Sequence, residues 1–264
     1  GHGGTPAVEF VKRRLPAAIR ACGGFGDPAR FGETLHEAFA VTDEELLRHL
    51  RQDQPTHIAR NAAAAKATGS PYILSSGCVA CVAIVCGATV CVAHLGDCRA
   101  LLCCGGDIKP LTVDHRPRGN HGERERLREL GIEVDSDGYL HERIEVSRAF
   151  GGWAWYAEEK CSGLLCSPEV SEVELAPDTE FLLLACDGVF EKMTAKEAGQ
   201  IVRRHLRASG DAKSAAEALV RHATHRNSTD NLSAIVVLFS LPPSTEERTA
   251  PRLFMPAGAR SRPA

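Results

Sequence analysis

The 264-residue sequence lacks any apolar run long enough to cross a membrane. Its longest, Val79 to Val85 and Phe181 to Cys186, fall far short of the ~20 residues a spanning helix needs. It also lacks a dominant charge. With 31 basic and 34 acidic side chains the net charge is −3, so no global field recruits nucleic acid or an anionic lipid surface. No internal repeat is visible, which excludes a repeat architecture. There is no initiator Met, so the sequence gives no basis for judging a targeting signal.

Cysteine, by contrast, is plentiful. The count of 11 is odd, and most of the residues sit inside apolar runs. That usage fits small reduced hydrophobes in a cytoplasmic or nuclear compartment. Cys78 and Cys81 form a C-x-x-C, but on a strand that spacing puts the two side chains on opposite faces, and no second pair stands at finger spacing. Buried thiols are the preferred reading over zinc. The remaining composition, 44% hydrophobic and 25% charged, is that of an ordinary soluble domain able to bury a sizeable core.

Periodicity predicts a helix from Pro6 to Ala21, with Val8, Val11, Leu15, Ala18 and Ile19 on one side and Pro at its first turn. A second runs from about Ala29 to Leu50 on a stripe of Phe31, Leu35, Phe39, Leu46 and Leu50, with Asp43, Glu44 and Glu45 assigned to its solvated face. Lys12, Arg13 and Arg14 are likewise read as a solvated face. "RQDQPTHIARNAAAAKATGSP" breaks the pattern and reads as a loop. From Gly77, short Val- and Cys-rich runs separated by Gly87-Ala88 and Gly96-Asp97 suggest an antiparallel meander. "GERERLRELG" is a helix closed by Gly131, and "IEVDSDGYLH" a hairpin. "EFLLLAC" does not alternate and is expected to be buried on both faces. Helices at 195–206 and 212–222 and a last strand in "NLSAIVVLF" complete the pattern. The residues from Leu241 to Ala264 carry no apolar period and are expected to be a disordered tail. This order favours sheets covered by helices, an α+β class, over a doubly wound fold.

Three acids stand at the ends of strand-like runs: Asp187 in "FLLLACDGVF", Asp230 in "STDNLSAIVV" and Asp114 in "LTVDHRP". Each taken singly can be a turn residue. If they converge on one sheet edge, their repulsion calls for a cation, and oxygen-only donors select Mg²⁺ or Mn²⁺.

The blocks "GHGG", "EAFAVTDEEL", "SSGCVACVAIV", "VAHLGDCRALL", "VDHRP", "ERERLRELG", "VSRAFG", "FLLLACDGVFEKM" and "STDNLSAIVVL" resemble, in order, those of the PPM-type (PP2C-like) metal-dependent protein serine/threonine phosphatases. The likeness covers about residues 1–240. It implies a four-layer α-β-β-α sandwich of two antiparallel sheets flanked by helices, with two Mg²⁺ or Mn²⁺ ions at one edge and a weaker third. Asp187 and Asp230 match metal-ligand acids of that family, and Asp114 an acid near the third ion. Gly1 matches the glycine whose carbonyl binds an ion, and His2 the proposed general acid. The implied substrate is a phosphoprotein, attacked by water with no covalent phosphoenzyme, since no Cys-x5-Arg loop is present. The implied protein is a monomer.

The family writes its first block Asp-Gly-His-Gly-Gly, and that Asp bridges both metals. The sequence starts one residue later, so it is expected to be a fragment lacking its N-terminal strands, impaired in metal binding as written. Gly152 stands where "SRAFGD" has its acid. Trp153, Trp155 and Tyr156 are read as packing beneath a loop rather than as a partner-facing patch. His222 and His225 are assigned to a helix terminus. The alternative to an enzyme is a pseudophosphatase acting as a binding module. The resemblance further implies that Asp187 and Asp230 bring their carboxylates within about 8 Å of each other.

Overall fold

The computed structural model describes residues 3–23, 27–53, 76–141, 143–154 and 159–243. Helix α1 (Pro6–Cys22) begins with Pro at its first turn, where the missing N–H costs nothing. A short 3-10 turn leads into α2 (Phe31–Asp53). Strands β1 (Gly77–Cys78), β2 (Ala80–Cys86), β3 (Thr89–Leu95), β4 (Arg99–Cys104) and β5 (Asp107–Pro110) follow, then α3 (His121–Glu129). The short strands β6 (Phe150–Gly151), β7 (Trp153–Ala154) and β8 (Glu159–Lys160) precede β9 (Glu169–Glu174) and β10 (Thr179–Ala185). A one-turn helix α4 (Asp187–Phe190), helices α5 (Ala195–Ser209) and α6 (Ala212–His225), and β11 (Ala234–Leu238) complete the order.

Two antiparallel sheets form the centre: β2-β3-β9, and β11-β10-β4-β5. Alternate residues of β4 and β10 point to opposite faces. Ala100, Leu102, Leu182 and Leu184 meet Val90 and Val92 of the other sheet, while Leu101, Phe181 and Leu183 face α5 and α6. Helices α1 and α2 cover the outside of the three-stranded sheet through Leu15, Phe31, Leu35, Phe39 and Leu46. The layers therefore run α-β-β-α, as expected. Strand β10 is buried along its whole length, the burial on both faces that its unbroken apolar run predicts. Cys78 packs in the outer layer and Cys81 between the sheets, so the C-x-x-C does splay. No helix among the described residues is long and apolar enough to cross a membrane.

Two local readings need correction, and a third holds in shortened form. Asp43 is buried on α2, where it accepts the Gly151 N–H at 2.7 Å and pairs with Lys160 at 2.7 Å. Arg14 is bound to Glu45, which ties α1 to α2. The hairpin expected at 132–141 is present in short form: Val134 bridges Leu140 antiparallel, and Asp135 Oδ1 accepts the Asp137 and Tyr139 amides in the turn between them. Trp153 is half-buried with Lys160 over its ring, whereas Trp155, Tyr156 and the tail from residue 244 lie outside the described residues.

Candidate functional site

Strand β10 delivers Cys186 and Asp187 at its end, and β11 starts just after Asp230-Asn231. The β10–β11 ladder holds these two ends together, and it continues past the strands in the bond from the Cys186 N–H to the Ser233 carbonyl. Gly188 permits the close approach. A Cβ there would sit 2.7 Å from the Asn231 carbonyl oxygen and 3.1 Å from Asp230 Cβ. The Ser228 hydroxyl then donates to the Gly188 carbonyl. Any larger residue at 188 would drive Asp230 away.

Asp187 and Asp230 line one cleft of about 450 Å³ together with Arg99, Asp114, Arg116 and Glu145. Burial raises the Asp187 carboxyl above its usual range, the Asp97 and Asp230 charges add to the rise, and Arg116 opposes it. Three of the acids assigned from the sequence are therefore brought to one place. Gly1 and His2 lie outside the described residues.

Asp114 enters the cleft already paired. Arg99 holds it with two near-parallel hydrogen bonds at 2.8 and 2.7 Å, and the Arg99 guanidinium lies over the Phe190 ring. Arg116 is the cation facing the remaining acids. Its Nε donates to Asp97 Oδ2 at 2.8 Å, its Nη1 to Glu145 Oε1 at 2.7 Å and its Nη2 to Asp187 Oδ2 at 3.0 Å. Asp97, in the turn after β3, is nearly buried. Sequence reasoning missed Asp97, Arg116 and Glu145. The available signal was that "GDCR" and "DHRP" each place charge directly after an apolar run.

The donor set fits hard divalent cations. Asp97, Glu145 and Asp187 share one guanidinium and Asp230 lines the same cleft, leaving negative charge uncompensated, and every donor is an oxygen. At Gly152 an acid would be strained by the backbone and would have to push the tip of the Leu164 side chain aside. The Gly152 φ is +69°, and a Cβ would meet Leu164 Cδ2 at 2.4 Å.

Among the described residues, the trio whose ligand atoms all fall within 4.8 Å of one another is elsewhere: His94, His115 and Glu169. The imidazoles stack with centroids 4.4 Å apart. His94 Nε2 donates to the Val113 carbonyl at 2.9 Å, and the Gly96 N–H donates to His115 Nδ1 at 3.0 Å. Neutral His115 therefore carries its proton on Nε2, which is buried without a hydrogen-bond partner and lies 3.5 Å from Glu169. Burial, then His94 and Arg148, push His115 down to about 3, so it stays neutral. A cation at this Nε2 would have to displace that proton, with Arg148 beside it. The trio thus braces the Asp114–Arg116 loop. His222 and His225 join no such trio among the described residues.

The sequence matches the protein phosphatase 2C family model over residues 1–232. It is 35% identical over 257 residues to "Probable protein phosphatase 2C 57" of Oryza sativa subsp. japonica, an alignment covering 96% of this chain and 64% of that protein. To "Probable protein phosphatase 2C 13" of Arabidopsis thaliana it is 34% identical over 252 residues, covering 94% and 62%. The chain thus spans a little under two thirds of these relatives. Among solved structures, serine-threonine phosphatase 2C from Toxoplasma gondii matches with a TM-score of 0.68 at 23% identity, over 90% of this chain and 82% of that one. A C. elegans sex determining protein matches at 0.69 and 18% identity, over 91% and 55%. At those identities the structural likeness is one of fold alone. With the family match running from residue 1 to residue 232, through Asp114, Asp187 and Asp230, the chain belongs to the protein phosphatase 2C family.

Proposed function

We propose that this protein hydrolyses phosphoserine and phosphothreonine in other proteins, using Mg²⁺ or Mn²⁺. The observation that carries the reading is the convergence of Asp187 and Asp230 in one cleft, with the Asp187 carboxyl raised first by burial and then by the Asp97 and Asp230 charges. Asp187 and Asp230 would hold two ions together with the Gly1 carbonyl, and Asp114 would contribute to a weaker third. When bound, such ions supply Lewis acidity and lower the pKa of water near neutrality.

The chain's own residues have the other tasks. The Asp187 and Asp230 carboxylates set where positive charge sits at the end of the two sheets. His2 donates its proton to the departing serine or threonine oxygen, a role suited to an imidazole that titrates near neutral pH. Asp114, neutralised by Arg99, adds no repulsion to the cleft, and it would reach the weaker third ion only by giving up part of that pair.

Further readings go with this one. Residues 1–240 act as the phosphatase domain, in keeping with the family match over residues 1–232. The protein works as a monomer, and in a reducing compartment, cytoplasm or nucleus, in keeping with eleven cysteines that form no disulfide among the described residues. The relatives named above are phosphatases by name, which gives a catalytically silent binding module no support.

The test is hydrolysis of a phosphothreonine peptide by the full-length protein with Mn²⁺, with chelator, and after Asp187→Asn. Loss of turnover in both controls is expected. Turnover that survives chelator and the substitution would refute the reading.

A further inference from the structure

Arg116 reaches carboxylates that come from three separate parts of the chain. Its Nε and Nη2 both point at Asp97 Oδ2, at 2.8 and 2.7 Å, its Nη1 holds Glu145, and its Nη2 also reaches Asp187 Oδ2 at 3.0 Å. The Asp97 side chain is 8% exposed and anchors the guanidinium from below, while the Asp187 side chain is 37% exposed and faces the cleft. The other Asp187 oxygen, Oδ1, accepts the Gly188 N–H at 2.9 Å. Both oxygens of this acid thus have a donor in place.

We propose that Arg116 is an internal counter-cation that competes with a divalent ion for Asp187 and so sets how tightly that ion is held. The inference rests on the metal-dependent reading above. Like charges repel strongly across a partly buried site, so an ion arriving at Asp187 must share Oδ2 with a full positive charge or displace it. Displacement is built into the geometry. Two of the three contacts, to Asp97 and Glu145, survive when the guanidinium releases Asp187. Asp230 has no such competitor. Its Oδ1 accepts the Asn231 N–H at 2.6 Å, and among the described residues no ion pair engages it. The two acids are therefore unequal as cation ligands, with Asp230 open and Asp187 guarded.

The test measures Mn²⁺ binding, not turnover, by following free Mn²⁺ with electron paramagnetic resonance as it is added to metal-free full-length protein. Arg116→Gln removes the competing charge and should tighten Mn²⁺ by about tenfold. Arg116→Lys keeps the charge and should stay within about threefold of the parent. Arg116→Gln leaves Asp97 buried without its partner and can unfold the chain. The double variant Arg116→Gln/Asp97→Asn removes both members of that pair with no change of net charge, so only the release of Asp187 Oδ2 remains, and it should bind Mn²⁺ more tightly than the parent but by less than the single variant. If the parent binds Mn²⁺ and the folded Gln variants bind no more tightly, the role of Arg116 is refuted and the metal reading stands. If no chain binds Mn²⁺, both fall.

Discussion

Glu123 offers the most direct energetic test of what holds the cleft in place. It is 3% exposed on α3, and its carboxylate is fully engaged. Oε1 accepts Arg148 Nε at 3.0 Å and Nη2 at 2.6 Å, while Oε2 accepts Arg126 Nη2 at 2.8 Å and the Ser147 hydroxyl. Ser147 in turn donates its N–H to the His115 carbonyl at 2.8 Å, between Asp114 and Arg116. Burial pushes the Glu123 carboxyl up, but the hydrogen bonds from Arg148, Arg126 and Ser147 outweigh it and hold the group at about 2, against an ordinary 4.5. A depression of that size corresponds to about 3 kcal/mol of stability, present in full above pH 4.5 and lost as pH falls toward 2. Glu123→Gln leaves two guanidiniums facing a neutral amide. Their side chains are 22% and 15% exposed, so water repays part of the loss. The expected cost at pH 7 is about 3 kcal/mol, the low end for breaking a buried pair, which for a domain of this size lowers Tm by roughly 6–12 °C. Urea unfolding of parent and variant should show the gap narrowing by about 2 kcal/mol between pH 7 and pH 3, where the unfolded carboxyl is protonated and the folded one is not. Glu125→Gln, on the same helix in an exposed pair with Arg128, serves as the control and should match the parent. A gap below about 1 kcal/mol at pH 7, or one that does not change with pH, would refute the reasoning.

Gly188→Ala should weaken Mn²⁺ binding more than it lowers unfolding stability, because the new Cβ displaces the segment carrying Asp230; equal losses in the two titrations would count against the close-approach argument. Cys81 and Cys91, pushed up to about 12 by burial, should resist a thiol reagent at pH 8 until the protein is unfolded, and rapid labelling of the native chain would contradict their place in the core. Glu180, 2% exposed and held by Arg203, should make Arg203→Met cost about 3 kcal/mol, and adding Glu180→Gln should recover part of that loss; strictly additive unfolding energies would show that the two side chains act independently.

Much of the cleft was legible in the sequence for a simple reason. An apolar strand that ends in Asp-Gly, or begins after Asp-Asn, fixes the acid at the sheet edge whatever the rest of the chain does, so Asp187 and Asp230 could be read locally. The Arg116 network could not. Its partners stand 19, 29 and 71 residues away, and nothing short of the packed fold tells which of 31 cations will reach which of 34 acids. Asp43 is a different case, because the signal was present. It lies in phase with Phe39, Leu46 and Leu50 on the buried stripe of α2, so helical periodicity placed it inward, and only its charge argued for solvent. A buried acid needs partners, and the Gly151 amide and Lys160 supply them. Their distance in sequence hid the arrangement.

The acids of the cleft come from both sheets, which makes the core between them part of the site. Asp97 follows β3 of the three-stranded sheet, and Asp187 follows β10 of the four-stranded one. Arg116 touches both, so its reach is set by the gap between the sheets. That gap is filled by Val90 and Val92 on one side and by Ala100, Leu102, Leu182 and Leu184 on the other, which tolerate little change in volume because interiors are close-packed. The apolar layer thus works as a spacer that fixes how far apart like charges are held. Under the metal-dependent reading, a divalent ion would gain from a carboxylate separation that the packed sheets hold in advance. The Asp187 carboxyl is raised by burial first and by the Asp97 and Asp230 charges second, and Arg116 opposes both.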